Sequence, residues 1–263
     1  MYLLFIFVFG LFIGSFLGVV IDRVPHKKSI IAGRSYCNYC KHNLGFFDLI
    51  PLASFIILRG KCRYCKKKLS WFYPGIELIT ALLFALTFYL VYSPVTILNY
   101  RFLFYVAYLL VMISGFIAIF FIDLKHRIIP DKILLLLAII SFVWLVIGQQ
   151  YLLINNLLSA LGSFGFFLLV TLLYYIFTRK TGMGGGDIKM SFVLGLFLGF
   201  PLIVVALYLA FLIGAIIAVF LIILKKKKFG SSIPFGPLLI IGTLFTFFEA
   251  GFLLQLLHKF LGI

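Results

Sequence analysis

Long apolar segments, separated by short polar connections, dominate this chain of 263 residues. The hydrophobic fraction is 64%, well above the roughly 45–50% of soluble domains. A membrane-spanning helix needs about 20 apolar residues, and the sequence predicts an all-α polytopic membrane protein with about eight transmembrane helices. The candidate segments cover roughly residues 2–21, 74–92, 102–122, 132–148, 152–177, 188–200, 202–224 and 235–257.

Two of these segments have a second interpretation. Residues 188–224 form one apolar stretch, which we divide at Pro201 into a tight hairpin; without that division there are seven helices. The first segment resembles a signal peptide but lacks a basic start and a clear cleavage site, so we interpret it as a retained helix. The resulting domains are a first helix over 1–22, a polar loop over 23–73 and a helical core over 74–263.

The distribution of charge predicts the orientation of the chain. There are 23 Lys and Arg against 7 Asp and Glu, a net charge of +16. Such a surplus can indicate nucleic acid, but the apolar content favours a membrane and no nucleic-acid partner. Eleven of the cations lie in residues 23–73, and others cluster around 123–132, around 178–189 and in the KKKK run at 225–228. Cationic loops stay in the cytoplasm, so eight helices place both termini outside.

The large basic loop contains all four cysteines, in two C-x-x-C pairs: Cys37 with Cys40, and Cys62 with Cys65. Such pairs suit tetrahedral zinc, and four thiolates leave no open position, which predicts a structural ion. Two disulfides or free thiols are the alternative, although a cytoplasmic loop is in a reducing compartment. We interpret His42, close to the first pair, as a solvated loop residue.

An apolar segment, GFFDLIPLASFIILRG, separates the two cysteine pairs. It is interrupted by Asp48 and Pro51 and is too short to cross a bilayer. We expect it to lie along the inner membrane face or to pack beneath the helices.

Two aspartates lie at predicted helix ends on the cytoplasmic side. Asp123 ends the third segment in FFIDLKHRIIPD, and Asp187 opens the sixth in GGGDIKM. Two carboxyl groups in one low-dielectric site do not both ionise easily, so one retains a proton. Such a pair can deprotonate a water for attack on a peptide carbonyl and protonate the leaving amine. Alternatively, Asp187 is an ordinary first-turn acid, and Asp123 is a solvated helix end beside Lys125 and Arg127.

The glycines before the second aspartate, at positions 182, 184, 185 and 186, allow close backbone approach. We interpret Gly182, Gly184, Gly185 and Gly186 as a substrate-binding loop, against which an extended peptide adds as a strand. A plain turn is the alternative. A phosphate cradle is disfavoured, because the GK[ST] of a P-loop is missing.

Two further acids and a pair of glycines have structural interpretations. Asp131 follows Pro130 and is predicted to cap the fourth helix. Gly195 and Gly199 form a G-x-x-x-G pattern, typical of close helix packing. Glu249, far along the last segment, is interpreted as a hydrogen-bonded or outer-interface residue.

Four motifs in order carry a resemblance to a known family. They are GSFLGVVIDRVP at 14–25, CNYC…DLIPLASF…GKCRYCKKKLSWFYPGIEL within 37–78, IDLKHRIIPD at 122–131 and GMGGGDIKM at 182–190. Together they resemble the type IV prepilin peptidases, that is, the prepilin leader peptidase/N-methyltransferases, which are aspartic proteases of the GxGD type. The resemblance covers nearly the whole chain.

The resemblance implies a function and a set of residues. Asp123 and Asp187 match the family's catalytic pair. The substrates are precursors of pilins or pseudopilins, whose basic leader is removed at the cytoplasmic face of the bacterial inner membrane. Many members then methylate the new N-terminus with S-adenosylmethionine. Glu77 matches a family motif and is a candidate methyl-transfer or structural residue; the alternative is a helix-end acid paired with a loop lysine. Gly18 and Asp22 depart from the family, which commonly has asparagine and an aromatic residue or histidine there.

Two other classes of protein compete with the peptidase. A proton-coupled transporter would use the two aspartates as a relay, but it predicts inverted repeats and a carboxylate near mid-membrane. A zinc-stabilised membrane scaffold would need the cysteines but not the aspartates.

Overall fold

The structure is a computed structural model, and it describes residues 1–30, 33–37, 39–92, 99–179, 182–224 and 234–261. Apart from two isolated β-bridges, Tyr36 with Asn43 and Lys61 with Lys68, these ranges contain helices and no strand, so the all-α prediction is confirmed. The helices are α1 (Tyr2–Arg23), α2 (Ala53–Ile57), α3 (Phe72–Val91), α4 (Tyr100–His126), α5 (Asp131–Gly148), α6 (Leu153–Thr178), α7 (Gly185–Leu198), α8 (Leu202–Ile223), α9 (Gly236–Phe248) and α10 (Ala250–Leu261).

Six of these helices are long and apolar enough to cross a membrane: α1, α3, α4, α5, α6 with the turn before it, and α8. Helices α7 and α9 have 14 and 13 residues, so each is only about 20 Å long at 1.5 Å per residue, against the ~30 Å of a hydrocarbon core. The eight predicted segments are therefore all helical, but two are shorter than a full span. The predicted division at Pro201 is confirmed, since α7 ends and α8 begins on either side of it.

The last predicted segment, residues 235–257, is not one helix. Helix α9 ends at Phe248, Glu249 has the non-helical angles φ −99° and ψ 13°, and α10 then begins. The physical reason lies in the polarity of α10, where Gln255 and Lys259 are four residues apart and share a face. An amphipathic helix such as α10 is stabilised in the membrane interface, whereas the apolar helix α9 does not need an interface to satisfy polar side chains. The two segments therefore form separate helices.

The chain forms two compact units, Met1–Ala118 and Ile119–Ile263, and the division falls within α4. In the first unit, α1 packs on α3 through glycines. A Cβ at Gly10 would lie 2.6 Å from the Cα of Ala81, and one at Gly14 would lie 2.6 Å from the Cα of Glu77. Glycines spaced four apart permit this close approach. The spacing is visible in the sequence, although the prediction above overlooked it.

Glycines also bring the helices of the second unit together. A Cβ at Gly195 in α7 would lie 2.5 Å from the Cα of Ala160 in α6, so this half of the G-x-x-x-G prediction is confirmed. Gly199 has a different role, because its φ of +68° ends α7. Helices α8 and α9 approach in the same way, since a Cβ at Gly242 would lie 2.5 Å from the carbonyl oxygen of Ala206.

Side-chain hydrogen bonds hold α7 along α6. The Asn156 amide donates to the carbonyl oxygen of Leu196 at 2.8 Å, and the Ser163 hydroxyl donates to that of Ser191 at 2.9 Å. Because α7 begins beside Asp187, these contacts fix the position of that carboxylate.

We expect Gly195→Ala to lower the stability of the purified protein by about 1–3 kcal/mol, the usual cost of overpacking. The reason is that the added methyl group meets backbone rather than a movable side chain. Thermal unfolding in detergent measures the effect. The matched control is Gly165→Ala on α6, which has no atom within 4 Å of its Cβ position. Equal melting temperatures for the two variants would contradict the close-packing account.

Candidate active site

Asp123 lies in the last turns of α4 and is 5% exposed, so the solvated-helix-end alternative is wrong. The backbone N–H of Gly236 is a hydrogen-bond partner of its carboxylate. A Cβ at Gly236 would lie 2.6 Å from Oδ2 of Asp123, which leaves no room for a side chain there. Gly236 is the first residue of α9, and the positive end of a helix dipole stabilises an anion.

Asp187 is the third residue of α7, whose N-terminal cap is Gly184. The backbone N–H of Gly184 is a partner of the Asp187 carboxylate, and a Cβ at Gly184 would lie 3.3 Å from its Oδ2. Asp187 is therefore a first-turn acid, as the simpler alternative held. Its other oxygen, Oδ1, is buried without a hydrogen-bond partner in the described part of the chain. That oxygen remains available to a water or a substrate group.

Ile129 connects the surroundings of the two carboxylates. A Cβ at Gly186, next to Asp187, would lie 2.9 Å from the Cβ of Ile129. A Cβ at Gly236, next to Asp123, would lie 3.2 Å from the Cδ1 of Ile129. The charge of Asp123 also acts on the carboxyl group of Asp187. The second unit thus brings the two predicted acids into one region.

The four glycines of the loop have different neighbours. The ring of Tyr174 packs on Gly182, where a Cβ would lie 2.6 Å from Cδ1. As described above, Gly184 and Gly186 face Asp187 and Ile129. Gly185 has no atom within 4 Å of its Cβ position. Contacts within the chain therefore account for three of the glycines, and Gly185 has the open space that an approaching peptide would need.

The predicted cap at Asp131 is wrong. The N-cap of α5 is Pro130, with no side-chain cap hydrogen bond, and Asp131 is the first helical residue. Its Oδ1 instead accepts a 2.8 Å hydrogen bond from the Nζ of Lys189 on α7. This ion pair connects α5 to α7 at a position two residues after Asp187. Asp131 does not cap its own helix because it pairs with a cation from another helix.

The four cysteines converge in the first unit. Their sulfur atoms all lie within 4.8 Å of one another, all four are free, and the Sγ atoms of Cys37 and Cys65 are 3.9 Å apart. A tetrahedral site with Zn–S bonds of about 2.3 Å separates its sulfurs by about 3.8 Å, so the cluster fits a metal ion. Burial raises the pKa of the Cys37 thiol, but backbone hydrogen bonds from Cys40 and Tyr39 and bonds with the neighbouring thiols outweigh it and lower the pKa to about 7.

Asp48 connects the second cysteine turn to the apolar segment of the loop. Its side chain is 6% exposed and forms a 2.7 Å ion pair with the Nε of Arg63. Its Oδ2 accepts hydrogen bonds from the Tyr64 hydroxyl at 3.3 Å and from the Gly45 N–H at 3.1 Å. His42 stacks on Tyr64, with ring centroids 3.7 Å apart, and lies outside the group of four sulfurs. Asp48 is the one acid among the basic residues 23–73. That isolation is the sequence signal that could have indicated its role as the partner of Arg63 and Tyr64.

Glu77 is buried in the second turn of α3, and the alternative of a pairing with a loop lysine is wrong. Its Oε2 accepts a 2.8 Å hydrogen bond from the backbone N–H of Leu52, and the Ser15 side chain is a second partner. Leu52 has φ +55°, a strained conformation for a residue with a branched side chain. Glu77 therefore fixes the backbone of the loop to the α1–α3 pair.

The two departures from the family pattern surround one aromatic residue. The Tyr73 hydroxyl donates a 2.7 Å hydrogen bond to Oδ2 of Asp22. A Cβ at Gly18 would lie 3.3 Å from the ring of Tyr73. The glycine makes room for the ring and the aspartate accepts its hydroxyl, so the two departures form one structural unit.

Helices of spanning length, a four-cysteine loop and two neighbouring carboxyl groups at helix ends define a polytopic membrane protein with a candidate aspartic-peptidase site. Residues 8–91 match the bacterial peptidase A24 N-terminal domain, and residues 110–219 match the type IV leader peptidase family. The chain belongs to the type IV leader peptidase family. The first match contains the cysteines, and the second contains both aspartates.

The chain is similar to several proteins named prepilin leader peptidase/N-methyltransferase. That of Aeromonas salmonicida is 32% identical, with 92% of this chain and 88% of the relative covered. Those of Bacillus subtilis and Pseudomonas aeruginosa are 30% and 31% identical, with 92% and 88% of this chain and 92% and 85% of the relatives covered. No solved structure matches the chain significantly. The apolar helices and these relatives indicate a multi-pass inner-membrane protein.

We expect the purified protein to contain one metal ion per chain. Cys62→Ser should lose most of this metal, because a thiolate is removed from a buried position. His42→Asn is the control and should retain the metal, because His42 stacks on Tyr64. Elemental analysis by mass spectrometry measures both. Full metal content in Cys62→Ser would show that the four sulfurs are not the ligands.

Proposed function

We propose that this chain is an aspartic endopeptidase that removes the short basic leader of type IV prepilins or pseudopilins at the cytoplasmic face of the inner membrane. It then N-methylates the new N-terminal residue. The observation that carries the proposal is the shared environment of Asp123 and Asp187 around Ile129. The names of the relatives support both activities.

The surroundings of the two acids suggest a division of labour. We assign the ionised role to Asp123, which has the Gly236 N–H and the start of α9 beside it. We assign the resting proton to Asp187, whose Oδ1 has no donor in the described residues. Asp123 takes a proton from water, the water oxygen attacks the scissile carbonyl carbon, and Asp187 protonates the carbonyl oxygen. When the intermediate collapses, the proton on Asp123 passes to the leaving amine and Asp187 recovers its own.

The cysteine cluster and the methyl donor belong to the same proposal. We propose that Cys37, Cys40, Cys62 and Cys65 hold structural Zn²⁺, since four thiolates leave no position for a substrate. S-adenosylmethionine, implied by the family resemblance, supplies the methyl group when bound. We assign Glu77 a structural role, because its carboxylate accepts a hydrogen bond from the Leu52 N–H.

The proposed orientation follows from charge. The loop of residues 23–73, with eleven cations, lies in the cytoplasm, and the N-terminus lies outside. Asp123 and Asp187 occur near helix ends at the borders of cationic connections, and this supports a position at the cytoplasmic edge. A proton relay for transport would instead need a carboxylate near the middle of the membrane.

Asp123→Asn and Asp187→Asn should each lower cleavage of a co-expressed prepilin by about 1,000-fold or more, because an amide neither takes nor gives the proton. Both should still methylate a pilin supplied in its mature form. Mass spectrometry of the pilin N-terminus reports both activities. The control is Asp131→Asn, an exposed acid paired with Lys189, which should retain cleavage. Normal cleavage by Asp187→Asn would remove the proposal.

Gly236→Ala should lower the kcat for cleavage by about 10–100-fold with a smaller change in KM, because a misplaced catalytic group costs mainly turnover. The new Cβ would displace the Asp123 carboxylate, 2.6 Å away. Gly165→Ala again serves as the matched control and should retain the normal kcat. Retained thermal stability and methylation of mature pilin would show that Gly236→Ala is folded. Unchanged kcat would contradict the contact between Gly236 and Asp123.

A further inference from the structure

Four large apolar side chains of the cysteine loop are exposed, and we call them the loop patch: Phe46, Phe47, Ile56 and Ile57. They are 78%, 69%, 70% and 76% exposed, respectively. Phe47, in the 3₁₀ turn Phe46–Leu49, and Ile57, in α2, line a common cavity of about 260 Å³, so these two short helical turns present one continuous surface. A contiguous apolar surface of this kind marks an interaction site, whereas single exposed side chains do not.

The position of the loop patch is fixed relative to a membrane span. Leu52 lies between its two halves and donates its backbone N–H to Glu77 at 2.8 Å. Glu77 is in the second turn of α3, which is long and apolar enough to cross the bilayer. The hydrogen bond therefore holds the loop patch close to the level at which α3 enters the membrane.

Several cations lie close to the loop patch in the sequence. Arg59 and Lys61 follow it directly, and three consecutive lysines follow at positions 66–68, all of them exposed. Asp48 is the only acid in residues 33–37 and 39–71, and it is buried against Arg63. The described surface of the loop therefore combines apolar side chains with cations, the combination that binds an anionic bilayer surface.

We propose that the loop patch inserts into the boundary between headgroups and acyl chains of an anionic leaflet, and that Arg59 and Lys61 bind the lipid phosphates. The two turns cannot cross the bilayer, because they contain only four and five residues. They lie in its surface and anchor the cysteine cluster there. Asp48 connects the loop patch to the cysteine cluster. It accepts a hydrogen bond from the Gly45 N–H beside the loop patch and forms an ion pair with Arg63 in the second cysteine turn.

Tryptophan fluorescence in lipid nanodiscs tests the insertion. The chain has two tryptophans, so Trp71→Phe with Trp144→Phe gives a background without that fluorophore. Phe47→Trp places a reporter in the loop patch. Tyr39→Trp, at a 58% exposed position in the first cysteine turn, is the matched control. Phospholipid brominated near the glycerol backbone should quench the Phe47→Trp reporter at least about threefold more than the control, since interfacial side chains lie only 5–10 Å deep.

Lipid charge tests the cationic part. Raising phosphatidylglycerol from none to about a third of the lipid should increase quenching of the Phe47→Trp reporter, and Arg59→Gln with Lys61→Gln should abolish that increase. Retained metal content shows that each variant is folded. A reporter accessible to aqueous acrylamide, or one shielded from both acrylamide and bromolipid, would overturn insertion; the second result would indicate a protein covering the loop patch. Equal quenching at all lipid charges would overturn the role of the two cations.

Discussion

The contact between the start of α9 and the Asp123 carboxylate is the constraint on which the rest of the site depends. A carboxylate leaves water only where donors replace its hydration. Asp123 has the Gly236 N–H for this purpose and Asp187 has that of Gly184. Both donors stand at the N-termini of the two short helices, α9 and α7. The helices that do not reach the length of a full span are thus the ones that stabilise the acids.

Close helix packing is what holds those short helices in place. The hydrophobic effect gives little drive for association between helices in lipid, so small residues and interhelical hydrogen bonds take over. Gly195 and Gly242 supply the close approach of α7 and α9 to their neighbours, and Asn156 and Ser163 supply hydrogen bonds. In the first unit, Gly10 and Gly14 have the same role between α1 and α3. The loop there depends on other contacts, those of its cysteines, Asp48 and Glu77.

Much of the fold and the candidate site could be predicted from local pattern. Hydropathy located the apolar helices, spacing identified the four cysteines, and the residues around the two aspartates singled them out. The errors concern partners. Asp131 was expected to cap its own helix, but Lys189 from α7 is its partner. For Glu77, the alternative of a loop lysine partner is wrong, because its carboxylate accepts a hydrogen bond from the Leu52 N–H. The break at Glu249 was missed because hydropathy averages over α9 and the amphipathic α10.

By itself, the sequence determined the class of protein, its helices, the cysteine set and the two acids, because apolar length and motif spacing are properties of neighbouring residues. The tertiary structure decided which groups stabilise those acids. Gly236 has no side chain to mark it, and its importance arises only because α9 begins where α4 ends, with Asp123 occupying the space of the missing Cβ. The need for glycine at this position can be recognised only once the positions of both helices are known.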